Sequence, residues 1–124
     1  MSESYLEVGG FGNADVDDPH GDRETLHQLA AAGADMAVVT TFVHYLTFDA
    51  EARMVAAGRA IRQSLGYSVE GFPPEGSDDG WSLRVTIERL PSLESVQRMR
   101  EVMEVAARRF DGSYDGWEAA VREG

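Results

Sequence analysis

The run at residues 38–48, Val-Val-Thr-Thr-Phe-Val-His-Tyr-Leu-Thr-Phe, narrows the folds open to this chain more than any other stretch. It is rich in β-branched and aromatic residues, with Phe42, His44, Leu46 and Phe48 on one face and Val43, Tyr45 and Thr47 on the other. Both faces are partly apolar, which describes a central strand flanked by others.

The flanking elements follow in order. A helix is expected from Asp22, whose carboxylate can accept from free backbone N–H groups, to Gly33, with Leu26, Leu29 and Ala30 as its apolar stripe. After the central strand, Asp49 is placed to cap a second helix through Leu65, ended by Gly66, with Ala52, Val55, Ala56, Ala60 and Ile61 near helical spacing. Gly58 inside it suits close packing on a sheet. A short strand is expected over 67–72, and the loop Pro73-Pro74-Glu75-Gly76-Ser77-Asp78-Asp79-Gly80 joins it to a cleaner one. There Trp81, Leu83, Val85 and Ile87 alternate with Ser82, Arg84, Thr86 and Glu88, so one face packs and the other is wet. Ser92 caps the longest helix, on which Leu93, Val96, Met99, Met103, Ala106 and Phe110 recur at three- and four-residue steps. Residues 114–121, with Gly116-Trp117 in the middle, suit a short strand or a helical turn and are read as a last strand. Residues 1–21, with Gly9, Gly10, Gly12, Asp15, Asp17, Asp18 and Gly21, show no sustained period and are expected to be a flexible acidic leader to a single domain over 22–124.

Two strand–helix–strand units with right-handed crossovers interleave most simply as an antiparallel sheet carrying both helices on one face. The expected fold is therefore α+β: a ferredoxin-like βαββαβ sandwich with an extra N-terminal helix.

The 124 residues are enough for one domain with its own core. Their composition then removes classes of function. All eleven basic residues are arginine, there is no cysteine, and the formal charge is −11. Schiff-base chemistry, lysine-containing phosphate loops, disulfides and thiolate metal sites are excluded. The charge argues against direct binding to nucleic acid and for either simple solubility or a basic partner. No stretch approaches the roughly 20 apolar residues of a membrane span, and Met1-Ser2-Glu3-Ser4 lacks the features of a signal peptide, so a cytoplasmic protein is expected.

The C-terminal Phe110-Asp111-Gly112-Ser113-Tyr114-Asp115-Gly116-Trp117-Glu118-Ala119-Ala120-Val121 matches a family ending in which an aromatic residue and a short turn lead into Tyr-Asp-Gly-Trp. Ala32-Gly33-Ala34-Asp35, His44-Tyr45-Leu46 and Leu65-Gly66-Tyr67-Ser68-Val69 agree in register. The chain thereby resembles, over about residues 22–121, the bacterial regulators of ribonuclease E activity B, the RraB family of small protein inhibitors. The resemblance implies the same fold and a non-enzymatic role: binding a ribonuclease E-type endonuclease or its scaffold and lowering cleavage of RNA. No cofactor is implied.

Individual residues admit two readings. Tyr114, Asp115, Gly116, Trp117 and Glu118 can form a protein-binding patch, since Tyr and Trp are common interface anchors. Alternatively, Tyr114 and Trp117 plug the end of the sandwich while Gly116 permits a bend. His44 and Tyr45 on the central strand suit either a core position or a ligand site. That second reading defines a different class of function, a small-molecule-binding or monooxygenase-like domain with a roomy cavity between sheet and helices, or between sheet and sheet in an open-sheet dimer. Asn13, Asp15, Asp17 and Glu24 have the spacing of an EF-hand loop, but Asp18 stands where glycine supplies the sharp turn and Pro19 follows it, so no metal is expected. Arg98, Arg100, Arg108 and Arg109 alternate with Glu94, Glu101 and Glu104, and the i,i+4 pairs Glu94–Arg98 and Glu104–Arg108 describe a solvated face. The third core strand lacks the aromatic run of an RNA-recognition motif, and no G-x-S-x-G elbow occurs.

Overall fold

A computed structural model describes residues 4–8, 21–76 and 80–121. The elements run β1 (Ser4–Val8), α1 (Asp22–Ala31), β2 (Thr40–Phe48), α2 (Glu51–Leu65), β3 (Ser68–Phe72), β4 (Trp81–Arg89), α3 (Leu93–Arg109) and β5 (Ser113–Val121). The fold is α+β. Its strands form one sheet in the order β1-β5-β2-β4-β3, and every neighbouring pair is antiparallel. The expected central strand is central: β2 lies between β5 and β4, and its burial alternates along its whole length.

The sheet is not the plain four-stranded one expected from the sequence. Ser4–Val8 pairs with β5 from Val121 back to Trp117, adding a fifth strand at that edge. Residues 1–21 are therefore not wholly a loose leader. Five residues suffice for a ladder on an existing strand without any longer periodicity, so a search for sustained pattern passes over them. Asn13, Asp15 and Asp17 of the EF-hand-like spacing lie outside the described residues.

All three helices cover one face of the sheet. Leu26 and Leu29 of α1, Met54, Ala57 and Ile61 of α2, and Val96, Met99, Met103 and Ala107 of α3 close over Phe42, Leu46, Phe48, Leu83, Val85, Ile87 and Trp117. Phe42, Leu46, Val85, Val96 and Met103 are fully buried. Each such large side chain contributes about 1.5–3 kcal/mol on leaving water. These residues pack together in the layer between sheet and helices.

Helix ends depart from expectation at two acidic residues. Gly21, in the left-handed region at φ 73°, takes the position before α1, and Asp22 becomes the first helical residue with its side chain turned inward. Ala50 precedes α2 without a side-chain cap, and Asp49 instead accepts from Arg53 at 3.3 Å. Ser92 caps α3 as expected, accepting from the Ser95 N–H at 3.1 Å. In α2 the buried stripe is Met54, Ala57, Gly58 and Ile61, while Ala52, Val55 and Ala56 are exposed. Both sets have helical spacing, and the one that packs uses Gly58 to bring the helix close: a Cβ there would stand 3.2 Å from Leu83 Cδ1.

Candidate functional site

The site is built around a break in the ladder between β2 and β5. Leu46 faces Tyr114 and Tyr45 faces Gly116, so the register shifts by one residue and Asp115 is the extra one. Gly116 has φ 113°, which residues with a side chain rarely adopt. A bulge of this kind changes the parity of the strand. Tyr114 and Trp117, three positions apart, both turn toward the helices, and Asp115 and Glu118 both turn toward the opposite, open face. In an unbroken strand two residues three apart would lie on opposite faces.

On the covered side the bulge places aromatic side chains over a buried polar network. Arg100 on α3 donates to Asp22 through Nε at 2.9 Å and Nη2 at 2.7 Å. Trp117 Nε1 donates to the same carboxylate at 3.2 Å, and its ring meets Phe42 edge-on with centroids 5.4 Å apart. The Arg100 guanidinium lies 5.2 Å from the Tyr114 ring centroid, and Glu104 stands 3.6 Å from its Nη1. Arg100 is thus no part of a solvated face, and Glu104 turns to it rather than to Arg108. Burial alone would lower the Arg100 pKa, but the hydrogen bonds and charge of Asp22, with Tyr114 and Glu104, raise it.

His44 completes the network. It is fully buried, its Nδ1 lies 2.8 Å from the Tyr114 hydroxyl, and its Nε2 meets no hydrogen-bond partner among the described residues. Burial, helped by the positive charge of Arg100 and opposed by the negative charge of Asp22, lowers its pKa to about 3. The ring is therefore neutral at physiological pH and sits in the core. Burial also pushes the Tyr114 hydroxyl above its usual range. Of the two residues read together as a ligand site, His44 faces the helices and Tyr45 the open side.

The open side is polar. The Tyr45 hydroxyl donates to Glu118 Oε1 and the Thr47 hydroxyl to Asp115 Oδ2. Arg84 on β4 reaches across the face, its guanidinium carbon 4.0 Å from the Phe72 ring centroid and 5.7 Å from that of Tyr45. Two open concavities adjoin Tyr45 and Arg84, one of about 390 Å³ bounded also by Glu70 and Glu118, the other of about 290 Å³ bounded by Phe72 and Glu75. The five residues of the C-terminal motif divide accordingly: Gly116 and Trp117 are buried, Tyr114 and Glu118 half-buried, and Asp115 exposed. Asp22 and Arg100 were missed as members of the site. Each carries an ordinary surface charge by its local sequence, and only tertiary packing brings them together. No group of three or more His, Cys, Asp or Glu residues positioned to hold a metal occurs among the described residues, and no helix there is long and apolar enough to cross a membrane.

The described residues form a small α+β domain with helices over one face of the sheet and polar side chains along the other. The chain matches the family model for regulator of ribonuclease activity B, RraB, over residues 20–119. It belongs to the RraB family, a family of regulators of ribonuclease activity. No curated protein matches it.

Proposed function

We propose that this chain restrains a ribonuclease E-type endonuclease by binding the enzyme or its scaffold through the open face of its sheet, with residues 40–121 acting as a ferredoxin-like sandwich to which β1 and α1 are appended. The observation that carries this reading is the bulge at Asp115–Gly116. It sets two carboxylates, Asp115 and Glu118, on the open side beside Tyr45 and Arg84. Carboxylates held in this way suit the guanidinium and ammonium groups of a segment that otherwise holds RNA phosphate. Occupying those groups lowers RNA access without any chemistry by the regulator. Asp115 and Glu118 make the contacts, while Tyr114, Gly116 and Trp117 position them.

Calorimetric titration of the endonuclease and of its scaffold segment tests the reading. Binding is expected at low salt, weakening as salt rises and as RNA competes, and Asp115→Asn with Glu118→Gln should weaken it about tenfold while helical and sheet content stay unchanged. Absence of association at low salt would overturn it.

A further inference from the structure

The opposite end of the sheet carries a feature that the open-face reading does not use. Among the described residues β3 pairs only with β4, so its other edge is free, and alternate residues turn N–H and C=O groups outward along it. Glu70 and Phe72 belong to the open side, and Val69 and Gly71 face α2. Between β3 and α2 runs a groove of about 340 Å³, bounded by Met54, Val55, Arg59, Arg62, Val69 and Gly71. Gly71 lets the Met54 thioether lie against β3 at the base of the groove: a Cβ at that position would stand 2.7 Å from Met54 Cε, so any side chain there would push the thioether out into the groove.

We propose that this edge accepts an extended acidic peptide segment, which adds to β3 as a sixth strand and lies between β3 and α2. Three observations support an occupant of that chemistry. The free edge supplies main-chain hydrogen bonds, the source of affinity in strand addition. The groove floor is the flexible Met54 thioether with Val55 and Val69, which suits small apolar side chains of varied shape. The groove is bordered by two exposed arginines, Arg59 and Arg62, in a chain whose net charge is −11, and neither forms an ion pair within 4 Å among the described residues. Two guanidinium groups beside a strand edge select carboxylates, the reverse of the preference of the open face. Pro73 and Pro74 follow β3 directly and lack N–H groups, which confines the added strand to about five residues.

The probe is a fluorescein-labelled nine-residue peptide in which every second residue is in turn Val and Glu, with Ser between, so that both side-chain types share the face turned toward α2. It is titrated into the full chain by fluorescence anisotropy, with amide shifts followed by NMR. Saturable binding with the largest shifts at residues 68–72 is expected. Arg59→Ala with Arg62→Ala should weaken it at least tenfold, and since both side chains are exposed the fold is retained, as circular dichroism would verify. N-methylation of alternate peptide amides should abolish binding while leaving its charge unchanged. The proposal is overturned if the peptide does not bind at millimolar concentration, if the arginine variant or the N-methylated peptide binds equally well, or if the shifts fall on β5 and the open face. It is also overturned if the chain self-associates through β3 and peptide does not compete. Loss of endonuclease binding would leave these readouts unaffected, so the two proposals fail separately.

Discussion

Asp22 and Arg100 stand 78 residues apart in the chain and meet through two hydrogen bonds, of 2.9 and 2.7 Å, beneath the sheet. The pair ties the first turn of α1 to the middle of α3, and Trp117 of β5 shares the same carboxylate. Three elements thus converge on one buried anion. Removing the cation leaves that anion without its charge partner in a medium that solvates it poorly.

Arg100→Ala is therefore expected to cost about 3–5 kcal/mol of stability in urea unfolding. Asp22→Ala combined with Arg100→Ala should cost clearly less than the sum of the two single changes, because the double variant buries no unpaired charge. Additive effects would contradict the pairing.

Acid should weaken the fold through His44. In the unfolded chain this residue takes up a proton near its ordinary pKa of about 6.5, whereas burial in the fold lowers that value to about 3. Between those limits the unfolded state binds more protons. The contribution of the neutral ring is fully present above pH 6.5 and declines by up to about 1.4 kcal/mol per pH unit as pH falls toward 3. Denaturant titrations at pH 7.5, 6 and 5 should show a steeper decline in the parent protein than in His44→Phe, and equal slopes would refute the assignment.

Gly116→Ala forces a side chain into backbone at φ 113°, at an expected cost of about 1–2 kcal/mol. Its more specific signature is optical. In a Trp81→Phe background the remaining Trp117 reports its own burial, and its emission should move to longer wavelength as the bulge is disturbed.

Asp115→Asn and Glu118→Gln should behave oppositely to these core changes. Each is expected to alter stability by less than about 1 kcal/mol, while the salt dependence of association with the endonuclease becomes shallower. A large loss of stability would mean that the open face serves the fold rather than a partner.

Much of the architecture is legible in the sequence because burial on one face leaves a period behind. Phe42, His44, Leu46 and Phe48 alternate, and Val96, Met99 and Met103 return at helical steps. The C-terminal motif also has a local signal, since an isolated glycine among strand formers points to a bulge or bend. What the sequence conceals is partnership at a distance. Asp22 has the local appearance of a cap and Arg100 that of a surface residue on a charged helix. Nothing within a few positions of either marks it as buried, because the compensation each needs comes from the other. Ser4–Val8 is concealed for a related reason: a short edge strand takes its register from β5 rather than from its own pattern.

The one-residue bulge also divides the labour of substitution in β5. Changes at Asp115 and Glu118 alter charge and shape on the open face without disturbing the side chains that fill the core. Tyr114 and Trp117 are bound to the opposite constraint, and Gly116 keeps the two sets apart. The open side of this strand is thus free to vary while its interior side stays fixed. Deleting the extra residue would merge the two sets and end that freedom.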